Sequence, residues 1–293
     1  MWADSQPYFL KVKAEAVNEL SVRLPRYLQQ HGLAQVVAPL PTVTEKLWGQ
    51  SNEYHVLLYP FIDGQPGSET RLSDRQWLEF GAVVKQLHTT PLSADLLARL
   101  PQETFIPHPK WYPLMNQLQT AVDRQNFDNS LQRQLADFWQ ARQAEINGIV
   151  ARVQQLSQRL HGQPCERVLC HADIHPGNLL LAEPDRLYVV DWDQPMLAPK
   201  ERDLMFVTVG GFIADPRHEA LFFQGYGPTD IHPLVLAYYR YERVMEDLAE
   251  FAKQVFLVDS TDETKQDSIY WITRIFAPGN DVDAAHKLDD ALD

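Results

Sequence analysis

Cysteine is scarce in this chain of 293 residues. The two present, Cys165 and Cys170, are too few for a disulfide framework, and their spacing matches no zinc motif. Long apolar runs are also missing, since no stretch approaches the roughly 18 consecutive apolar residues of a membrane span. The first residues, Met1-Trp2-Ala3-Asp4-Ser5, lack the basic start and apolar run of a secretory signal. Positive charge is in deficit: 26 Lys+Arg stand against 39 Asp+Glu, a formal net charge of −13. That balance repels nucleic-acid phosphates and anionic membranes, and it suits a cationic small molecule. No internal repeat or low-complexity tract occurs. These absences together predict a soluble, cytoplasmic protein with neither a nucleic-acid nor a membrane partner.

What the chain does have is core material, 45% hydrophobic and 11% aromatic residues, in a length that suits two domains or one large bilobal unit. The first 63 residues read as strands with one helix. Pro7–Lys13 suits a strand. Ala14–His31 has a helical spacing of Val17, Leu20, Leu24 and Leu28 that stops at Gly32, with Pro25 predicting a kink. Thr42–Trp48 and Tyr54–Ile62 read as a hairpin around Gly49-Gln50-Ser51-Asn52, and Asp63–Arg71, with Gly64, Pro66 and Gly67, as a linker. Beyond it the pattern is mostly helical. Ser73 caps a helix with Trp77, Phe80, Val84 and Leu87 on one face, and Asn129–Leu160 is one long periodic stretch. Short apolar runs follow at Arg167–Cys170, Asn178–Leu181 and Leu187–Val190. Helical patterns return at Lys200–Val207, Pro233–Val258 and Asp267–Phe276, and the acidic tail Asn280–Asp293 is expected to fray.

The chemistry concentrates in Val168–Trp192, which contains V-L-C-H-A-D-I-H-P-G-N-L-L-L and then L-Y-V-V-D-W-D. A strand delivers His171 and Asp173 into a loop, Pro176-Gly177 turns Asn178 back toward Asp173, and a second strand ends in Asp191. Three oxygen-bearing side chains on adjacent strand ends are what phosphoryl transfer requires. One carboxylate takes or orients a hydroxyl proton, while an amide oxygen and a second carboxylate hold Mg²⁺. A lone H-x-D is common; H-x-D-x4-N followed by two strands and D-x-D is far more restrictive.

The runs Cys170–Asn178 (C-H-A-D-I-H-P-G-N), Asp191–Phe206 (D-W-D-Q-P-M-L-A-P-K-E-R-D-L-M-F) and Tyr238–Asp247 (Y-Y-R-Y-E-R-V-M-E-D) resemble the aminoglycoside phosphotransferase family, relatives of protein kinases and choline kinases. Within it the chain is most similar to spectinomycin phosphotransferases, from Tyr8 to about Phe276. The resemblance implies an α+β, protein-kinase-like two-lobe fold. Residues 1–63 would form a truncated N-terminal β lobe that binds nucleotide, and 64–293 a large, mostly helical C-terminal lobe with the catalytic loop and acceptor-binding helices. It implies ATP (or GTP) and Mg²⁺ as cofactors. Asp173 becomes the catalytic base and His171 the brace of its loop. Asn178 and Asp191 become the Mg²⁺ ligands, and Asp203 ties the loop to the helix behind it. Lys11 becomes the phosphate-binding lysine, ion-paired with Glu19. Strand alternation puts Lys13 on the same face as Lys11, so spacing alone does not separate them; the resemblance favours Lys11. The strand Leu57–Gly64 becomes the hinge, with the Pro60 carbonyl and Ile62 N–H reading the base and Tyr59 as gatekeeper.

One departure stands out. The family places two strands and a phosphate-covering loop before the lysine strand, and only seven residues precede Tyr8 here. At about 5–6 residues per strand plus a loop, roughly 25–35 residues are expected to be absent, leaving an open edge beside Tyr8–Val12. A truncated, inactive pseudokinase is therefore one alternative. On the acceptor side, Glu242 and Glu246 lie four apart on one helix face, and Asp193 and Glu201 follow Asp191 closely, an acidic set for a polycationic aminoglycoside or aminocyclitol. Trp111, Tyr112, Trp192 and Tyr239 are candidate stacking surfaces. A choline, ethanolamine or homoserine kinase would share the whole Asp173/Asn178/Asp191 set. A protein kinase is disfavoured because no Ala-Pro-Glu motif follows Asp191.

Overall fold

The computed structural model describes residues 2–3, 6–127, 129–208, 215–290 and 292. Its first elements are β1 (Trp2–Ala3), β2 (Gln6–Lys13), α1 (Glu19–Gln30), β3 (Gly49–Ser51), β4 (Tyr54–Pro60), β5 (Gly64–Pro66), α2 (Asp74–Thr89) and α3 (Ala94–Arg99). Then come α4 (Trp111–Asp123), α5 (Ser130–Ala141), α6 (Gln143–Leu160), β6 (Val168–Cys170), β7 (Leu179–Ala182), β8 (Arg186–Val189) and β9 (Met196–Ala198). The last are α7 (Glu201–Leu204), α8 (Pro216–Tyr226), α9 (Pro233–Phe256), α10 (Asp262–Ile275) and α11 (Asp281–Asp289). Two compact units result. One comprises Met1–Glu103, Cys165–Thr208 and Asp215–Asp230; the other comprises Thr104–Pro164, Val209–Ala214 and Ile231–Asp293.

The first unit holds three small sheets. One has the order β1-β2-β4-β3, with β2 antiparallel to β4 so that Lys11 lies opposite Leu57 and Lys13 opposite His55. The expected first arm of the hairpin, Thr42–Trp48, is a turn instead. The Thr42 hydroxyl accepts from the backbone N–H groups of Thr44 (3.3 Å) and Lys46 (3.1 Å), and Glu45 sits at φ 61°. Such a local side-chain bond competes with a ladder for the backbone donors. Helix α1 begins later than its periodicity suggests, at Glu19, because the Asn18 side chain caps it by accepting from the Leu20 N–H. Leu24 and Leu28 are its buried face.

The expected linker is built into a sheet. Gly64–Pro66 forms β5, antiparallel to β7, in a sheet of order β5-β7-β8, and the Gly67 N–H donates to the Leu179 carbonyl (2.9 Å). A Cβ on Gly64 would stand 2.7 Å from the Leu181 carbonyl oxygen, so the close approach needs glycine. Strands β6 and β9 form the third sheet. Helix α2 starts at a full capping box, Ser73 with Gln76, and buries Trp77, Phe80, Val84 and Leu87. It packs on α8 at a distance set by two glycines: a Cβ on Gly81 would collide with the Phe222 carbonyl, and one on Gly225 with that of Leu78.

The second unit is helical among its described residues. The periodic stretch 129–160 is two helices, separated where Arg142 takes φ −111° and ψ 8°. Helix α9 forms the core, with Tyr238, Tyr239, Met245, Leu248, Ala249 and Ala252 buried. Helix α10 starts earlier than expected because Thr261 caps it. Within the tail, Asp281–Asp289 is a docked helix, correcting the expectation that this stretch frays. Val282, Ala284 and Ala285 of α11 are buried, and Asp289 binds both Arg152 (2.6 Å) and the Tyr241 hydroxyl (2.6 Å).

Candidate active site

The loop after β6 and the end of β8 meet in the first unit. His171 is fully buried. Its Nε2 lies 3.0 Å from the Val190 carbonyl, which only accepts, so Nε2 carries the proton; Nδ1 then accepts from the Asp173 N–H (3.3 Å). Burial pushes this imidazole below its ordinary range, in keeping with a neutral ring. His171 thus pins the loop bearing Asp173 to the segment bearing Asp191, and the Trp192 ring packs edge-on against it at 4.6 Å.

Beneath the loop lies Asp203, at 0% exposure. Its carboxylate accepts from the N–H groups of His171 (3.0 Å) and Ala172 (2.7 Å) and from His88 Nε2 (3.0 Å). His88 Nδ1 in turn accepts from the Tyr226 hydroxyl (2.8 Å), whose proton is kept by burial first and by neighbouring negative charge second. Ala172 is held at φ 71° and Asp191 at φ 63°, conformations that cost of order 1–3 kcal/mol and persist where surroundings over-determine them. The bonds from Asp203 supply that constraint at Ala172. His88, Cys170 and Asp203 also converge closely enough for a metal. However, burial holds the Cys170 thiol protonated and Asp203 is already saturated with donors, so this trio reads as a brace.

Asn178 closes the site. Its Nδ2 donates to the Asp173 carbonyl (2.8 Å) and Oδ2 (3.2 Å), and its own carbonyl accepts from the Val190 N–H (3.0 Å). With Nδ2 so committed, the amide oxygen is the atom left for a cation. The Lys11 ammonium lies 3.5 Å from Asp191 Oδ1 and 3.6 Å from Asp193 Oδ2, and Lys13 lies 3.4 Å from Asp193 Oδ1. The half-exposed Asp191 carboxylate, one residue past the Val190 N–H that binds the Asn178 backbone, and the Asn178 amide oxygen are hard-oxygen donors of the kind that fits Mg²⁺. The Tyr59 hydroxyl is pushed up to about 12, by burial first and then by Asp193 and Asp191.

These contacts link Lys11, Asp173, Asn178, Asp191, Asp193 and His171 in one series, with Asp203 behind them. Glu19 stands apart: it pairs with Arg99 (3.2 Å) and Arg23 (3.8 Å), and among the described residues no ion pair joins it to Lys11. Pro60 closes β4 opposite Tyr8, and Ile62 lies between β4 and β5. Glu201 is buried beside Lys200 (3.9 Å).

The other acids lie on α9 in the second unit. Glu242 is buried and accepts from the Tyr238 hydroxyl (2.7 Å), while Glu246 accepts from Trp111 Nε1 (3.0 Å). Burial, and then Glu242, pushes the Tyr112 hydroxyl above its ordinary range. Trp192 and Tyr239 are core residues, at 4% and 0% exposure.

Residues 2–239 match the phosphotransferase enzyme family. The chain belongs to that family. A solved spectinomycin phosphotransferase, in complex with ADP and spectinomycin, is similar at 31% identity and a TM-score of 0.88, over 98% of this chain and 87% of that one. An aminoglycoside phosphotransferase from Alicyclobacillus acidocaldarius shares the fold at 12% identity and a TM-score of 0.61, over 99% and 88%. A microcompartment-associated aminopropanol kinase does so at 15% and 0.61, over 98% and 87%. The fold is therefore α+β and protein-kinase-like, and this phosphotransferase is a kinase with a hydroxyl acceptor. Sequence reasoning passed over His88 and Tyr226 because nothing near them in the chain marks them. Their only signal is that a buried Asp203 needs donors.

Proposed function

We propose that this phosphotransferase moves the γ-phosphoryl group of ATP to a hydroxyl of a small cationic acceptor, an aminocyclitol of the spectinomycin kind. The observation that carries the reading is the Lys11–Asp191 ion pair at the end of a segment whose Val190 N–H binds the Asn178 backbone carbonyl, with Asn178 in turn holding Asp173 and the loop braced by His171 and Asp203. The similarity to a relative that holds ADP and spectinomycin supports the acceptor class.

Asn178 holds Asp173 Oδ2 and His175 Nε2 lies 3.7 Å from Oδ1, so the carboxylate is fixed to orient the acceptor hydroxyl and take its proton as the new O–P bond forms and the bond to the departing ADP oxygen breaks. His171 and Asp203 keep that carboxylate in place by fixing the backbone on either side of Ala172. Lys11 binds the nucleotide phosphates, and Pro60, Ile62 and Tyr59 line the adenine side. Asn178 and Asp191 would hold Mg²⁺, which neutralises charge on the transferring phosphates when bound. In the first unit Asp193, with its side chain 43% exposed, is the acid that draws a cationic acceptor, whereas Glu201 is buried.

The test is ADP release from ATP over an acceptor panel of spectinomycin, choline, ethanolamine and homoserine. Turnover is expected with spectinomycin and lost about a thousandfold in Asp173→Ala, while ATP binding survives. Choline turned over with spectinomycin inert would replace the acceptor assignment, and undiminished turnover in Asp173→Ala would remove the base.

A further inference from the structure

Lys13 is a strand residue whose function the reading above leaves open. Side chains two apart on a strand share a face, with their Cα atoms about 7 Å apart. Yet both ammonium groups converge on one carboxylate, Lys11 3.6 Å from Asp193 Oδ2 and Lys13 3.4 Å from Asp193 Oδ1. Lys13 is the better shielded, with its side chain 24% exposed against 34% for Lys11. The pairing of β2 with β4 sets its direction, because Lys11 and Lys13 stand opposite Leu57 and His55 on the same sheet face as Tyr59. Tyr59 in turn feels Asp193 and Asp191.

Charge decides what this arrangement is suited to. Two ammonium groups and two carboxylates balance one another while the face holds only protein. A cation taken up by Asp191 and Asn178 cancels carboxylate charge and leaves the lysines in surplus. Two ammonium groups that share the two oxygens of one carboxylate can equally share the adjacent anionic oxygens of a polyphosphate. Glu19, engaged with Arg23 and Arg99, does not hold either lysine away from it.

We infer that Lys13 is a second polyphosphate-binding residue, acting with Lys11 on the phosphate tail of the nucleotide. This rests on the reading of the β2 face as the phosphate side. It predicts that Lys13 distinguishes ligands by their phosphates: it contributes to ATP and inorganic tripolyphosphate and not to adenosine.

Calorimetry on the full chain with Mg²⁺ tests this without reference to turnover. In Lys13→Met the affinity for ATP and tripolyphosphate should fall about tenfold, the size of one lost charge-assisted bond, with adenosine within twofold of the parent and Lys13→Arg retaining most of the affinity. The loss should persist in the Asp193→Asn background, where Lys13 has no carboxylate to neutralise. Unchanged tripolyphosphate binding, an equal loss for adenosine, or a loss that disappears with Asp193→Asn would each overturn the inference. Lys11→Met run in parallel separates two kinds of failure. If it weakens tripolyphosphate while Lys13→Met does not, only the role of Lys13 falls. If neither variant weakens it, the phosphate-face reading falls too.

Discussion

Asp203 shows how one buried side chain sets the geometry of a loop it does not belong to. Its two oxygens take the N–H groups of His171 and Ala172 and the imidazole of His88. Asp203→Ala strands two buried backbone donors, at roughly 1–3 kcal/mol each, and releases the positive φ at Ala172. Urea unfolding should show a loss of about 2–5 kcal/mol; a loss below about 1 kcal/mol would mean that other bonds hold the loop. Asp247 makes a different prediction. Burial pushes its carboxyl up to about 6 despite the Arg243 bridge at 3.0 Å. Its unfolded value is near 4, so between about pH 4 and 6 the folded state binds the extra proton and stability falls as pH rises. Above about pH 7 the penalty is complete, and below about pH 4 it is gone. Asp247→Asn, which cannot ionise, should therefore gain stability relative to the parent from pH 4 to 6 and then keep a constant advantage, whereas a pH-independent difference would contradict the shift.

Among the elements, α2 and α8 approach so closely that Gly81 and Gly225 face backbone carbonyls. Gly81→Ala is expected to cost about 3 kcal/mol by overpacking in thermal unfolding. Gly148→Ala, with nothing within 4 Å of the new methyl, should stabilise α6 by up to about 1 kcal/mol. Equal effects at the two sites would mean that helix propensity, and not the close approach, governs Gly81. The elements also show where the sequence was readable. The strands and helices with a clean apolar period, β2, β4, α2 and α9, lie where that period puts them. Thr42–Trp48 does not, because one threonine hydroxyl closes a turn that hydropathy does not register. Gly64–Pro66 reads as a linker because glycine and proline disrupt local pattern, although here glycine is what lets β5 meet β7. The tail reads as polar, yet its few small apolar residues suffice to dock α11, since α9 supplies the rest of the contact.

For the whole molecule, a charge of −13 has a consequence for binding. Long-range attraction of a cationic acceptor is screened as the Debye length falls from about 10 Å at 0.1 M salt to about 3 Å at 1 M. For the proposed acceptor, spectinomycin, KM should rise severalfold over that range while kcat changes less. A KM independent of salt would show that the net charge plays no part in capture. The candidate site was legible at this scale for a simple reason. His171, Asp173, Asn178 and Asp191 lie within one short stretch, so their chemistry and relative spacing are written locally, and the fold class follows from the family resemblance that this stretch carries. The partners of Lys11 and Lys13 are 180 residues away. Alternation along one strand treats the two lysines alike, and the helix spacing of Glu19 suits a lysine as well as an arginine. Only the packed chain sends Glu19 to Arg23 and Arg99, brings both lysines to Asp193, and sets His88 and Tyr226 beneath Asp203, because those contacts depend on which surfaces meet and not on which residues are neighbours in sequence.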